Sequence, residues 1–251
     1  DSQHVADNMP ISLDTLAYDS AFVIEQNIRL YQDSEADFDA RSSFYDVAMG
    51  DADPLGITVE QKVLSWSDAG DWLIVEYRII NTGRDTLASP TVGIFADWNI
   101  ENVANNRMAT DASRKLSYAW STTSGRYAGY SLLTEGEALI SAMEVDSTGP
   151  NDLTDASKFA YLSGALQQDS AGLTADGTNV AGFLSVRLDS LPFGESRKVA
   201  FALLGGAGLG DLQTHHDAAL AHYQEYLAAP PSLSAVEVCA DQEALIDPVE
   251  G

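Results

Sequence analysis

Apolar and polar positions alternate with a period of two in many short runs of this chain, and each run ends in turn-forming residues. Residues 57–66 are rich in β-branched and aromatic side chains and predict a strand, and residues 72–81 predict a second. Ser67-Asp68-Ala69-Gly70-Asp71 and Thr82-Gly83-Arg84-Asp85 have the composition of turns. A third strand is predicted over 86–98, with Pro90 marking a bulge or an edge. Short loops between these three runs predict an antiparallel meander. Further strands are expected at 115–120, 126–133, 137–145, 180–188 and 197–204. Upstream, residues 23–31 alternate well enough to be a strand, whereas 33–53 are acidic and weakly periodic and predict a loop with one helical turn.

Two segments switch to a helical period. Residues 154–162 predict a short helix and 211–227 a long one, where Leu209, Leu212, His216, Leu220, Tyr223 and Leu227 fall three or four apart on one face. Ala229-Pro230-Pro231-Ser232 ends that helix and has the composition of a linker. The pattern therefore predicts a mainly β fold, an antiparallel β-sandwich of about eight to twelve strands with one C-terminal amphipathic helix. Its organisation is expected as a lead-in segment over 1–55 that adds a strand, a sandwich domain over 56–228, and a linker with the start of another module over 229–251. The N-terminus has neither an initiator Met nor a signal-peptide pattern, and the chain stops at Asp247-Pro248-Val249-Glu250-Gly251 without a closing element. Both ends suggest a piece of a longer protein.

Composition narrows the function. The chain of 251 residues carries 38 Asp plus Glu against 13 Lys plus Arg, a formal charge of −25. Such a field repels polyanions, which excludes nucleic-acid binding through phosphate neutralisation and argues against docking on anionic lipid. Only four of the basic residues are lysines (Lys62, Lys115, Lys158 and Lys198), which suggests a saline or extracellular setting. One cysteine, Cys239, allows no disulfide within the chain. No stretch reaches the roughly 18 to 20 apolar residues of a membrane helix.

A set of local strings occurs in a telling order: Gly56-Ile57-Thr58-Val59, Trp72-Leu73-Ile74-Val75-Glu76-Tyr77, Asn81-Thr82-Gly83, Phe95-Ala96-Asp97-Trp98-Asn99-Ile100, Tyr127-Ala128-Gly129, and Phe193-Gly194-Glu195-Ser196. Across about residues 50 to 228 this order resembles a non-catalytic domain of large secreted proteins of the Bacteroidota and related bacteria. Such domains often lie downstream of subtilisin-like peptidase domains, in chains exported by the type IX route. Val236-Glu237-Val238-Cys239 resembles the start of an immunoglobulin-like module of the same proteins. The resemblance implies an extracellular or cell-surface location, β architecture and a multidomain setting, and no activity.

The sharpest candidate chemistry is a set of oxygen ligands, Asp97, Asn99, Glu101 and Asp111, with Asn105 and Asn106 between them. Oxygens at alternate positions after a strand end, joined by more across a short loop, suit a hard cation such as Ca²⁺. The same residues also serve turns in a solvated acidic loop. A second oxygen-rich stretch holds Asp46, Asp51 and Asp53. His215, His216 and His222 lack the three- or four-residue spacing of a helical zinc pair, so they are expected on a helix face packed against the sheet, with His215 solvated. No Gly-x-Ser-x-Gly elbow occurs. Gly205-Gly206-Ala207-Gly208-Leu209-Gly210 resembles a phosphate cradle but lacks the Lys-Ser/Thr of a P-loop, and is expected as a strand-to-helix joint. Trp66, Trp72, Trp98, Trp120, Tyr118, Tyr127 and Tyr130 supply enough rings either to line a sugar-binding groove or to fill a core.

The expected function is a non-catalytic structural or accessory module that positions domains or mediates adhesion or surface assembly. Its expected contacts are neighbouring domains of the same chain, other surface proteins or glycans, without nucleic acid and without membrane insertion. The alternatives are a carbohydrate-binding module, which would show an exposed aromatic row, and an accessory region of a secreted subtilisin-like peptidase. An enzyme would show a deep pocket with converging titratable groups.

Overall fold

The computed structural model describes residues 5–7, 21–32, 34, 36–47, 54–145 and 153–228. Among these the elements run β1 (Phe22–Tyr31), β2 (Phe38–Asp46), β3 (Ile57–Ser65), β4 (Trp72–Asn81), β5 (Thr91–Trp98), β6 (Asn106–Asp111), β7 (Leu116–Ser121), β8 (Tyr127–Leu132) and β9 (Ala138–Glu144). They continue with α1 (Asp155–Leu162), β10 (Ser170–Ala171), β11 (Val180–Arg187), β12 (Ser196–Gly206) and α2 (Leu209–Ala228). The strands form two sheets, one in the order β1-β2-β3-β4-β12-β8-β7-β6-β10 and one in the order β5-β11-β9. All pairings are antiparallel.

Alternation in the central strands dictates the layering. In β12, Val199 and Phe201 join Met108, Ala119, Tyr130, Leu132, Leu184 and Val186 in the layer between the sheets. Ala200, Ala202 and Leu204 point the other way, into a layer with Ile74, Leu116, Leu212, Ala219 and Tyr223 under α2. The small alanines leave room for the helix to approach. β11 repeats the arrangement in the smaller sheet: Leu184 and Val186 face inward, while the Phe183 ring stacks 5.0 Å from Tyr161 of α1. Gly93 of β5 permits that close packing, because a Cβ there would lie 2.7 Å from Leu162 Cδ2. The order of layers is α2, nine strands, three strands, α1.

Three of the strings noted above, at Gly56, at Asn81-Thr82-Gly83 and at Gly194-Glu195, meet at one end of the larger sheet, and their roles there are structural. Thr82 and Gly83 both donate their N–H groups to the Gly56 carbonyl, each at 2.8 Å. Gly56 adopts a φ of +75°, and a Cβ on it would stand 2.6 Å from Gly83 Cα, so backbone meets backbone and side chains are excluded. Asn81, fully buried, donates from Nδ2 to the carbonyls of Asp85 and Leu191, and its Oδ1 accepts from Gly83 N. The Asn-Thr-Gly string is therefore a staple between two loops.

Three expectations are corrected. The acidic stretch expected as loop contains β2, whose register against β3 pairs Phe44 with Val59 and Ala40 with Val63. Asp46 anchors its end, accepting from the N–H groups of Gly56 at 3.0 Å and Ile57 at 2.7 Å. The predicted third strand of the meander, β5, begins after Pro90 and pairs with β11 in the other sheet, because β12 occupies the edge of β4. The lead-in contributes two strands to the larger sheet. Residues 229–251, expected as linker and truncated module, lie outside the described residues.

α2 buries Leu212, His216, Ala219 and Tyr223, four, three and four residues apart. It is also held by charge. Glu76 of β4 lies 2% exposed on the helix side. It accepts from Tyr223 Oη at 2.9 Å and sits 3.3 Å from Lys198 Nζ and 3.9 Å from Lys62 Nζ. Lys62 in turn donates to Tyr226 Oη at 2.9 Å. Burial, then the Glu76 charge, pushes the Tyr223 phenol well above its ordinary range, so it stays a proton donor. At the opposite pole, buried Lys158 of α1 holds Asp7 with Nζ 2.9 and 3.0 Å from its two carboxylate oxygens.

Two predictions follow from α2 docking. Tyr223→Phe leaves a buried carboxylate one donor short and is expected to cost about 1–3 kcal/mol in urea unfolding. The His216 imidazole is buried, and desolvation lowers its pKa below 6.5 although the Asp217 carboxylate opposes this. A base with a depressed folded pKa binds fewer protons folded than unfolded. Stability should therefore be full above the ordinary imidazole value and fall as pH drops through it. His216→Gln should flatten the dependence of the urea midpoint between neutral pH and the onset of carboxylate titration.

Candidate functional site

The loop after β5 carries Asn99, Glu101 and Asn105, and Asn106 begins β6 at its end. Asn106 is its organiser: fully buried, it accepts from Ile100 N at 3.0 Å and donates to the carbonyls of Ile100 and Asn102. Asn102 caps the short turn Val103–Asn105, and Asn105 donates to the Asp176 carbonyl. Glu101 sits at φ +57°, with its carboxylate 3.5 Å from Arg126 Nε. Asn99 is exposed.

Strand alternation separates the remaining two ligands. Ile94, Ala96 and Trp98 of β5 enter the layer between the sheets, so Asp97 faces outward from the smaller sheet. Asp97 is exposed by area, yet the dense protein around it desolvates its carboxyl and raises its pKa. Asp111 stands across from Leu116, which packs under α2. Its carboxylate accepts from Ser113 and from Gln213 of α2 and pairs with Arg114 at 3.3 Å. Burial opposes ionisation of Asp111, but these hydrogen bonds outweigh it and lower the pKa. Asp97 and Asp111 thus lie on opposite outer faces, with both sheets between them. Among the described residues, no three His, Cys, Asp or Glu side chains gather to hold a metal ion. Of the second oxygen-rich stretch, Asp46 serves the backbone and Asp51 and Asp53 lie outside the described residues.

The helical histidines are spent on packing. His215, expected in solvent, is half-buried, with Nδ1 2.8 Å from the Gly205 carbonyl. His216 Nδ1 lies 2.8 Å from Ser131 Oγ. His222 packs its ring 4.9 Å from Trp66 and 5.2 Å from Trp72, so those two tryptophans close the α2 layer. The glycine-rich joint is capped by the chain itself, as Ala207 N donates to the Asp211 carboxylate at 2.9 Å. That carboxylate stands where an anion would bind.

Sequence reasoning missed a cavity of about 310 Å³ between the sheets, beside the edge strand β5. It is lined by Val75 and Tyr77 of β4, Phe201 and Leu203 of β12, Tyr130 of β8, and Ile94, Phe95, Ala96 and Trp98 of β5. Trp98 stacks on Tyr130 at 5.4 Å. The buried Trp98 Nε1, Tyr130 Oη and Ser117 Oγ make no well-formed hydrogen bond. Burial pushes the Tyr130 and Tyr77 phenols above their ordinary range, so neither ionises near neutral pH. Among the described residues that line it there is no carboxylate, imidazole or amine. It can enclose an apolar or aromatic group.

A second surface feature stands on the α2 side of the larger sheet. Half-buried Trp120 and Tyr127 are a cross-strand pair, with rings 5.8 Å apart and 8° from parallel. Tyr118 adjoins both, 5.7 and 6.2 Å away. The period-two pattern of β7 was the signal that could have placed Tyr118 and Trp120 on one face.

No family model and no curated protein matches the chain. Solved structures of similar arrangement include heparan sulfate lyase HepC from Pedobacter heparinus, at 10% identity and a TM-score of 0.38. That match covers 74% of this chain and 24% of the lyase. The Slr1438 protein from Synechocystis sp. PCC 6803 matches at 10% identity and a TM-score of 0.41, over 72% of this chain and 66% of that one. The chain thus spans about a quarter of the lyase and just under two thirds of the Synechocystis protein. At these scores the likenesses say nothing about what the chain does.

The cavity yields a contrast to measure. Tyr130→Phe removes a hydroxyl that makes no well-formed bond and should change stability by less than about 1 kcal/mol. Phe201→Ala, in the same wall, should cost about 3–5 kcal/mol in urea unfolding.

Proposed function

We propose that this chain is a non-catalytic structural module of a secreted multidomain surface protein, one that positions neighbouring domains and offers faces for adhesion or assembly. The observation that carries this reading is the separation of cavity from chemistry. The inter-sheet cavity is lined by apolar and aromatic residues, and the buried acids Glu76, Asp39, Asp46 and Asp7 are taken up by partners in the protein. An active site needs titratable groups converging on a space where substrate can sit. Secretion and the multidomain setting rest on the resemblance of the strings between residues 50 and 228. The purified chain is expected to turn over no peptide, ester or glycoside substrate above background. Turnover that Glu76→Gln abolishes in a folded variant would overturn the proposal.

A second reading, carbohydrate binding, is favoured by one observation, the clustering of the half-buried rings of Tyr118, Trp120 and Tyr127 on a single face, with Trp120 and Tyr127 8° from parallel and Tyr118 tilted 32° and 27° to them. Rings so placed can stack on the apolar faces of sugars. It expects retardation of the chain in gels cast with soluble polysaccharide, lost in Trp120→Ala at unchanged thermal midpoint. Migration unaffected by every polysaccharide tried leaves the structural reading alone standing.

A further inference from the structure

β1 is the outermost strand of the larger sheet, paired on one side with β2 and on its other side with no strand among the described residues. Exposed strand edges are templates for another strand, and proteins usually blunt them with short length, charge or bulges. β1 is ten residues long. It leaves Ile24 67%, Ile28 74% and Leu30 67% exposed, with Val23 and Tyr31 each at 40%.

Its chemistry is nearly symmetric about Asn27. Counting outward, Glu25 mirrors Arg29, Ile24 mirrors Leu30, and Val23 mirrors Tyr31. The pairing with β2 shows that the mirrored residues share faces. Ile24 stands opposite Phe44 and Leu30 opposite Ala40. Arg29 stands opposite Arg41, and the Glu25 carboxylate accepts from Ser43 Oγ at 2.9 Å, so both charges lie on the α2 side. Two register shifts interrupt the pairing with β2, between Ile24 and Gln26 and between Gln26 and Arg29.

We propose that β1 joins β1 of a second copy of this chain, antiparallel about a two-fold axis through Asn27, fusing two nine-stranded sheets into one. That register sets Glu25 against the second copy's Arg29 on one face and Ile24 against its Leu30 on the other, each twice by symmetry. Opposite charges directly across a strand pair favour pairing, and like charges oppose it. Each copy carries −25, so the contact forms where salt screens the long-range repulsion.

The test is sedimentation velocity of the full chain across the micromolar range at physiological salt. A concentration-dependent dimer is expected. Glu25→Arg and Arg29→Glu should each weaken dimerisation by about tenfold or more, since each opposes like charges twice. The double variant E25R/R29E should return the affinity to within about threefold of the original. Equal thermal midpoints keep misfolding out of the comparison. A monomer at every concentration overturns the proposal, as does a double variant as weak as the singles. A monomer whose β1 amides resist hydrogen exchange also overturns it, and assigns the edge to another part of the same chain.

Discussion

The structure depends on one strand being buried on both faces. β12 carries Val199 and Phe201 toward one layer and Ala200, Ala202 and Leu204 toward the other, and no single partner surface can cover both. The smaller sheet answers one face and α2 the other. β4 beside it repeats the division, with Ile74 and Glu76 toward the helix and Val75 lining the cavity between the sheets. Because three strands and one helix are narrower than nine strands, both covers run out before the sheet does.

The charge of the chain acquires a different meaning inside this architecture. All four lysines are drawn into particular contacts. Lys62 and Lys198 flank Glu76, Lys158 holds Asp7, and Lys115 donates to the Thr134 carbonyl. Scarcity of lysine, read along the sequence as a property of the surface, is at least as much a property of these pairings. Removing one partner from a buried pair strands the other charge in a medium that solvates it poorly. Lys62 thus ties α2 to the larger sheet through Tyr226, and Lys158 ties the N-terminal residues 5–7 to α1.

Strand existence was legible where alternation was strong. β4 spans the predicted residues 72–81, and β3, β7, β8, β9, β11 and β12 fall within one or two residues of expectation. β2 was hidden because Asp39, Asp46 and the serines between them resemble a loop; their partners, Arg41 and the N–H groups of Gly56 and Ile57, become neighbours only on folding. β6 was hidden for a related reason. Its ends, Asn106 and Asp111, have the chemistry of cation ligands, and the fold spends them on a loop staple and on Arg114. The cavity had no sequence signal, since its walls come from three strands of one sheet and one of the other.

Composition, period and turn chemistry by themselves determined a mainly β chain with a closing helix, repulsive to polyanions, because these depend on neighbours a few residues apart or on a sum over all residues. Which sheet β5 would enter was decided only in three dimensions, where β12 took the place beside β4. The same holds for the oxygen ligands. Alternation along β5 and β6 could be read in the string, but the two layers that part Asp97 from Asp111 exist only once the sheets have packed.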